Sequence, residues 1–139
     1  MKVIAKTGRD DIAVVYILEC SEGRWAECVE SVAPPLARDK KWVLLISTLY
    51  GCPIKCMMCD AGGHYHGRLN EEDILAQIEF LIEKRYPGGR IIPGQFKIQF
   101  SRMGEPALNP AVLDVLRMLP SRVNAPGLMT TPSNIPSAE

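Results

Sequence analysis

Apolar and polar positions follow a strand-like pattern in the first forty residues and alternate between strand and helix spacing after that. From Ile12 to Leu18, β-branched residues gather around Tyr16, a composition that predicts a strand. Ser21-Glu22-Gly23-Arg24 reads as a turn, and Trp25 to Val32 reads as either a partner strand or a short helix. Pro34-Pro35 then breaks the chain, and Ala37 to Lys41 forms a polar connector. Residues 1–40 are therefore expected to be an antiparallel β lead-in, with a soft boundary near residue 40 and a second segment over 41–139.

From Trp42 the pattern alternates between strand and helix. Trp42 to Thr48 is an almost continuous apolar, β-favouring run, as expected of a strand buried on both faces in a parallel sheet. Asn70 is an N-cap candidate with Asp73 as the acid three residues on, followed by Ile74, Ile78, Leu81 and Ile82 at helical spacing. Glu71, Glu72 and Gln77 are assigned to the wet face, Lys84 and Arg85 suit the carbonyl end, and Pro87-Gly88-Gly89 stops the helix. Phe96, Ile98 and Phe100 alternate with Lys97, Gln99 and Ser101 in a second strand. Asn109-Pro110 opens a second helix with the stripe Val112, Val115, Leu116 and Leu119, which Pro120 is expected to end. Gly127 to Thr131 predicts a third strand, and the tail Ser133 to Glu139 is expected to fray. The order strand, loop, helix, strand, helix, strand is a βαβαβ unit, which calls for an α/β fold with a parallel sheet and right-handed crossovers.

Composition changes this picture little. The 139 residues are 47% hydrophobic and 23% charged, the balance of an ordinary globular domain. Sixteen basic residues offset sixteen acidic ones, so nothing in the net charge suggests nucleic acid or an anionic membrane as a partner. The longest apolar run is too short to span a bilayer, and Asp10 and Asp11 interrupt any signal-peptide layout. Five cysteines, an odd number, argue for a reducing compartment and a cytoplasmic location. Of these, Cys20 and Cys28 read as small core hydrophobes.

The other three change the picture more. Cys52, Cys56 and Cys59 fall within the stretch Gly51-Cys-Pro-Ile-Lys-Cys-Met-Met-Cys59, directly after the first strand of the parallel unit. Thiolates that close together need a cation, and a soft metal or an iron–sulfur cluster is the usual solution. The spacing gives three ligands and no fourth cysteine, which would leave one iron of a cluster open to chemistry. A zinc site completed by His64 or His66 is the alternative, and thiols without any metal are a third. In parallel sheets ligands collect beyond the carboxyl ends of the strands. Gly104-Glu105-Pro106 after the second strand and Thr130-Thr131 after the third share that rim with the cysteines.

Cys52-x3-Cys56-x2-Cys59 followed by Met103-Gly104-Glu105-Pro106 resembles the radical S-adenosylmethionine (SAM) superfamily. Gly51-Cys52, the stretch Arg102 to Asn109 and the Thr130-Thr131 region most resemble its RNA adenine-methylating (RlmN/Cfr-like) branch. The resemblance implies that Cys52, Cys56 and Cys59 bind a 4Fe–4S cluster whose fourth iron is chelated by SAM. It implies that Gly104 and Glu105 receive the methionine amino group and that Thr130 touches SAM. The implied activity is reductive cleavage of SAM to a deoxyadenosyl radical, with an electron donor such as flavodoxin or ferredoxin as partner.

Three departures bear on that implication. Met58 stands where the superfamily often has an aromatic residue, and methionine can still pack beside an adenine. Leu45 stands seven residues before Cys52, where the methylating branch carries a further cysteine. Without that thiol, and without a second one expected farther downstream, RNA methylation is not expected. The implied architecture is an incomplete (βα) partial barrel, the N-terminal half of a radical SAM core, either truncated or completed by a partner. An inactive remnant that binds nothing tightly is the remaining alternative.

Overall fold

The structure is a computed structural model, and it describes residues 1–125 and 128–131. Three strands form the lead-in: β1 (Lys2–Arg9), β2 (Ala13–Glu19) and β3 (Trp25–Val32). They pair as an antiparallel meander, so Trp25–Val32 takes the strand form of its two expected ones. β1 is a strand that the sequence pattern did not single out. β3 then pairs antiparallel with β4 (Lys41–Ile46), so the sheet runs without a break across residue 40.

Beyond β4 come a short hairpin, β5 (Leu49–Gly51) and β6 (Tyr65–Arg68), then helix α1 (Glu71–Arg85) and strand β7 (Gln95–Gln99). Helix α2 (Ala111–Arg122) and strand β8 (Leu128–Thr131) follow. β4, β7 and β8 are parallel neighbours, giving a six-stranded mixed sheet in the order β1-β2-β3-β4-β7-β8. Gly127 and the tail Ser133 to Glu139 lie outside the described residues.

One core joins both segments. Val14, Tyr16, Leu18, Cys28, Leu44, Ile46, Phe96 and Ile98 from the sheet pack with Ile74, Ile78, Leu81, Val112, Val115 and Leu119 from the helices. Each strand contributes alternate residues to this face, because successive side chains point to opposite sides. Cys20 and Cys28 are buried, Cys28 completely. Trp42 stacks on Phe96 with ring centroids 5.1 Å apart and donates its indole N–H to Glu30 at 2.7 Å. Glu30 is 3% exposed and is also paired with Arg85 near the end of α1. Lead-in and parallel unit are thus tied by a partly buried ion pair as well as by a shared sheet.

Two expectations about the helices need correction. Gln77 is buried, not on the wet face: its side chain accepts from Ser47 N–H and donates to Ser47 C=O, both at 3.0 Å. It gives β4's end the pair of hydrogen bonds that a neighbouring strand would give. Pro120 does not end α2, which runs on to Arg122. A proline in the last turn forfeits only one intrahelical bond, and Val123 N–H still reaches Leu119 C=O at 2.9 Å. No helix among the described residues is long and apolar enough to cross a membrane.

Candidate cofactor site

The cysteine loop is the tip of the β5–β6 hairpin. Gly51 ends β5 with φ +78, and a Cβ there would lie 1.4 Å from the carbonyl oxygen of His64. Only glycine lets the two strands approach so closely at that point. Cys52 makes an isolated bridge with Gly62, and Cys59 N–H donates to Cys56 C=O at 3.2 Å. Cys52 is buried at the base of the loop, while Cys56 and Cys59 are exposed. Met57 and Met58 between them are almost wholly exposed.

Among the described residues no three His, Cys, Asp or Glu side chains come together closely enough to hold a metal ion. That holds for the three cysteines and equally for a zinc set that includes His64 or His66. The chemistry of the donor set nevertheless fits a soft metal cluster: three free thiols on one loop, none of them held in a disulfide. His64 and His66 are both exposed.

What anchors the loop lies beneath it. Tyr50, just ahead of Gly51, donates its hydroxyl to Asp73 Oδ2 at 3.0 Å. Asp73 sits in the first turn of α1, where the helix dipole favours a carboxylate. It also accepts from the backbone N–H of Ser21 at 3.2 Å and from its hydroxyl at 3.0 Å. The carboxylate therefore does not close a capping box; it turns inward and joins the lead-in, the cysteine hairpin and α1. Asn70 still caps the helix, accepting from Asp73 N–H at 2.7 Å. Burial, with Cys20 and Asp73 nearby, pushes the Tyr50 hydroxyl above the ordinary phenol range, so it remains a donor. The Arg24 guanidinium lies 4.1 Å from the centre of the Tyr50 ring.

The second loop follows β7. Met103 C=O accepts from the N–H groups of Thr48 at 2.9 Å and Leu49 at 3.2 Å, and Met103 N–H donates to Ser47 Oγ at 3.1 Å. This holds the segment against the start of the cysteine hairpin. Gly104 has φ +95, and a Cβ there would meet Leu49 Cβ and Cγ at 2.5 Å. Glu105 follows at once, and its Oε1 accepts from Ala107 N–H at 3.1 Å. Cys52, Gly104 and Glu105 are thus brought to one end of the sheet by adjacent parallel strands.

Thr130 is placed differently. It is exposed and in register with Ile98, which is in register with Leu44, so it continues the row that packs into the core. Thr131 stands in register with Gln99 and, across it, Leu45. Leu45 itself is half-buried on the row opposite the core.

A cavity of about 800 Å³ opens between the lead-in turn and the cysteine loop. Arg24, Trp25, Tyr50, Cys59, His66 and Arg102 are among the residues that line it; Gly104 and Glu105 are not. Arg102 is tied to Glu27 of β3 at 2.9 Å. The residue pattern did not single out Tyr50, Ser47 or Arg102 as positioning groups, because each is an ordinary strand or loop residue until its partner is known.

No protein-family model matches the chain. It is 35% identical over 111 residues to the probable dual-specificity RNA methyltransferase RlmN of Trichormus variabilis, covering 78% of this chain and 28% of that one. It is 36% identical over 95 residues to the dual-specificity RNA methyltransferase RlmN of Halorhodospira halophila, covering 68% of this chain and 24% of that one. The chain therefore spans about a quarter of the length of the curated relatives it matches. Its fold is similar to that of a radical SAM methyltransferase from Sphaerobacter thermophilus, with a TM-score of 0.73, 20% identity and coverage of 93% of this chain and 38% of that one. The chain belongs to the radical SAM superfamily, in the RlmN/Cfr-like branch.

Proposed function

We propose that this chain carries the cofactor-binding part of a radical SAM enzyme, with its parallel strands belonging to a partial (βα) barrel. Cys52, Cys56 and Cys59 would hold a 4Fe–4S cluster, and Gly104 and Glu105 would receive the amino group of SAM. The observation that supports this most is the joining of two loops: Thr48 and Leu49, which lead into the cysteine hairpin, both donate to Met103, the residue before Gly104. The cluster, when bound, would supply the electron that cleaves SAM reductively to a deoxyadenosyl radical.

The chain's own residues bind and orient. Glu105 offers a carboxylate to an ammonium group, a charge-assisted contact. Gly104 brings backbone close to the same place without a side chain in the way. Met58 offers an exposed, polarisable face beside Cys59 for an adenine ring. An electron donor such as flavodoxin or ferredoxin would approach the exposed side of the loop. Leu45 carries no thiol, so the proposal ends at SAM cleavage and does not extend to methyl transfer through a cysteine at that position. On its register Thr130 is a weaker candidate for a SAM contact than Gly104 or Glu105.

Anaerobic reconstitution with iron and sulfide tests this reading. Roughly four irons per chain, with Cys56→Ala abolishing the uptake and Cys20→Ala leaving it intact, is the expected result. A colourless protein holding one zinc, or equal loss in both variants, overturns it. Formation of 5′-deoxyadenosine and methionine under dithionite then separates an enzyme from an inactive remnant.

A further inference from the structure

Asn109 closes the stretch that begins at Arg102, yet as a helix cap it uses only part of its side chain. Its Oδ1 accepts from Ala111 N–H at 3.1 Å, which is the capping contact. Its Nδ2 donates to two further groups, Thr48 C=O at 2.7 Å and Leu69 C=O at 2.8 Å. Thr48 immediately precedes β5 and Leu69 immediately follows β6, so one carboxamide holds both feet of the cysteine hairpin. The residue is 3% exposed, and the contacts span 61 and 40 residues of sequence. All three roles of the amide are thereby fixed: two protons given, one oxygen accepting.

The same hairpin foot is gripped a second time by Met103 C=O, through Thr48 and Leu49 N–H. Gly104 and Glu105 lie between these two grips, with Gly104 in contact range of Leu49. We propose that Asn109 is a positioning residue that locks the cysteine hairpin to the Gly104–Glu105 segment, so that the cluster ligands and the amino-group ligands move as one unit. This rests on the function proposed above for those two loops. It adds that the distance between them is set by a side chain that touches neither cofactor.

The variants Asn109→Asp and Asn109→Ser separate clamp from cap. Both keep an oxygen acceptor for the start of α2, and neither can give two protons at once: the aspartate has none and the serine has a single O–H on a shorter side chain. The measurement is differential alkylation of the cysteines in the metal-free protein, read by mass spectrometry. In the unmodified sequence Cys56 and Cys59 should label fast and Cys52 slowly, as their exposure dictates. In either variant Cys52 should label about ten- to thirtyfold faster, through local opening of the hairpin. Cys28, fully buried in the sheet core, is the internal control and should stay slow.

Unchanged Cys52 labelling in both variants overturns the proposal. So does equal acceleration of Cys28 and Cys52, which would mean a general structural role. Should Asn109→Asp fail to fold, Asn109→Ser alone decides the matter, since it introduces no charge. In reconstituted protein the variants should retain most of their iron but bind SAM about tenfold more weakly. Loss of iron in proportion to SAM affinity would also count against the lock. If the unmodified protein takes up no cluster, the proposed function falls while the labelling result still judges the clamp.

Discussion

The buried contact between Tyr50 and Asp73 can be isolated by a double-mutant cycle. Tyr50 is 3% exposed and Asp73 is 6% exposed, so neither side chain can recover its lost partner from bulk water without the site opening. A hydrogen bond to a charged group contributes about 1.5–3 kcal/mol. Tyr50→Phe removes only the hydroxyl and leaves Asp73 two donors on Ser21. Its expected cost is therefore about 1–2 kcal/mol. Asp73→Ala removes all three acceptor contacts and should cost about 3 kcal/mol, since the buried Tyr50 hydroxyl is then stranded while the exposed Ser21 turns to water. Asn70 keeps its capping acceptor for the backbone of residue 73, so α1 itself should survive. In the doubly substituted protein the cost should fall short of the sum by about 1–2 kcal/mol, the coupling of the pair. Urea unfolding followed by far-UV circular dichroism reads this out, provided the slopes agree among the four proteins. Strict additivity, within about 0.4 kcal/mol, would show that the hydroxyl and carboxylate do not interact in solution and that Asp73 does not anchor Tyr50.

Three further outcomes follow from particular contacts. Gly104→Ala should cost about 2–4 kcal/mol, combining a left-handed backbone with a methyl group driven into Leu49; a melting temperature within a degree of the unmodified protein would show that the loop rearranges freely. Arg85→Ala should cost about 3 kcal/mol by leaving the buried Glu30 carboxylate without its closest cation, and Glu30→Gln in that background should recover part of the loss. Stability should also fall in alkali: burial, then Cys20 and Glu27, pushes the Cys28 thiol well above its ordinary range. The folded chain then keeps a proton that the unfolded chain releases, so stability that is full below about pH 8.5 is lost as pH rises further. The decline in urea midpoint should be shallower in Cys28→Ala, and an unchanged slope would assign it to other groups.

Much of the architecture could be read from residue order alone because it rests on local rules. Asn70 caps α1 as its residue type predicts, and Phe96 and Ile98 enter the core on the face that period-two alternation assigns. The cysteine spacing and Gly104-Glu105 are contiguous stretches, so the sequence alone suffices to nominate them for the proposed chemistry. The failures at Gln77 and Asp73 share a cause, whereas Pro120 fails locally, by falling in the last turn of α2. Gln77 looks like a wet-face residue until the end of β4 lies beside it, and Asp73 looks like a capping acid until Ser21 and Tyr50 arrive from other segments. Amides and carboxylates are assigned to water by any local scale, yet they are also the groups that satisfy buried backbone ends. Their role is decided by partners 23 to 61 residues away.

That division has a consequence for how the candidate site can be damaged. The three thiols and Glu105 are supplied by loops, and loops have little packing of their own to hold them. Their positions are fixed instead by Asp73 under Tyr50, by Ser47 and Met103 across the strand ends, and by Asn109 between the feet of the hairpin. These contacts add to the backbone bonds between the same segments, among them Leu69 N–H to Thr48 C=O at 3.1 Å and Arg102 N–H to Ile46 C=O at 3.2 Å. A sequence that kept Cys52, Cys56, Cys59 and Glu105 but lost Asn109 and Asp73 would preserve the proposed ligands and still loosen the hairpin, leaving Met103 as its grip on the loop after β7. Intact cysteine spacing is therefore necessary for the proposed chemistry without being sufficient, and the buried amide and carboxylate beneath it carry the remaining requirement.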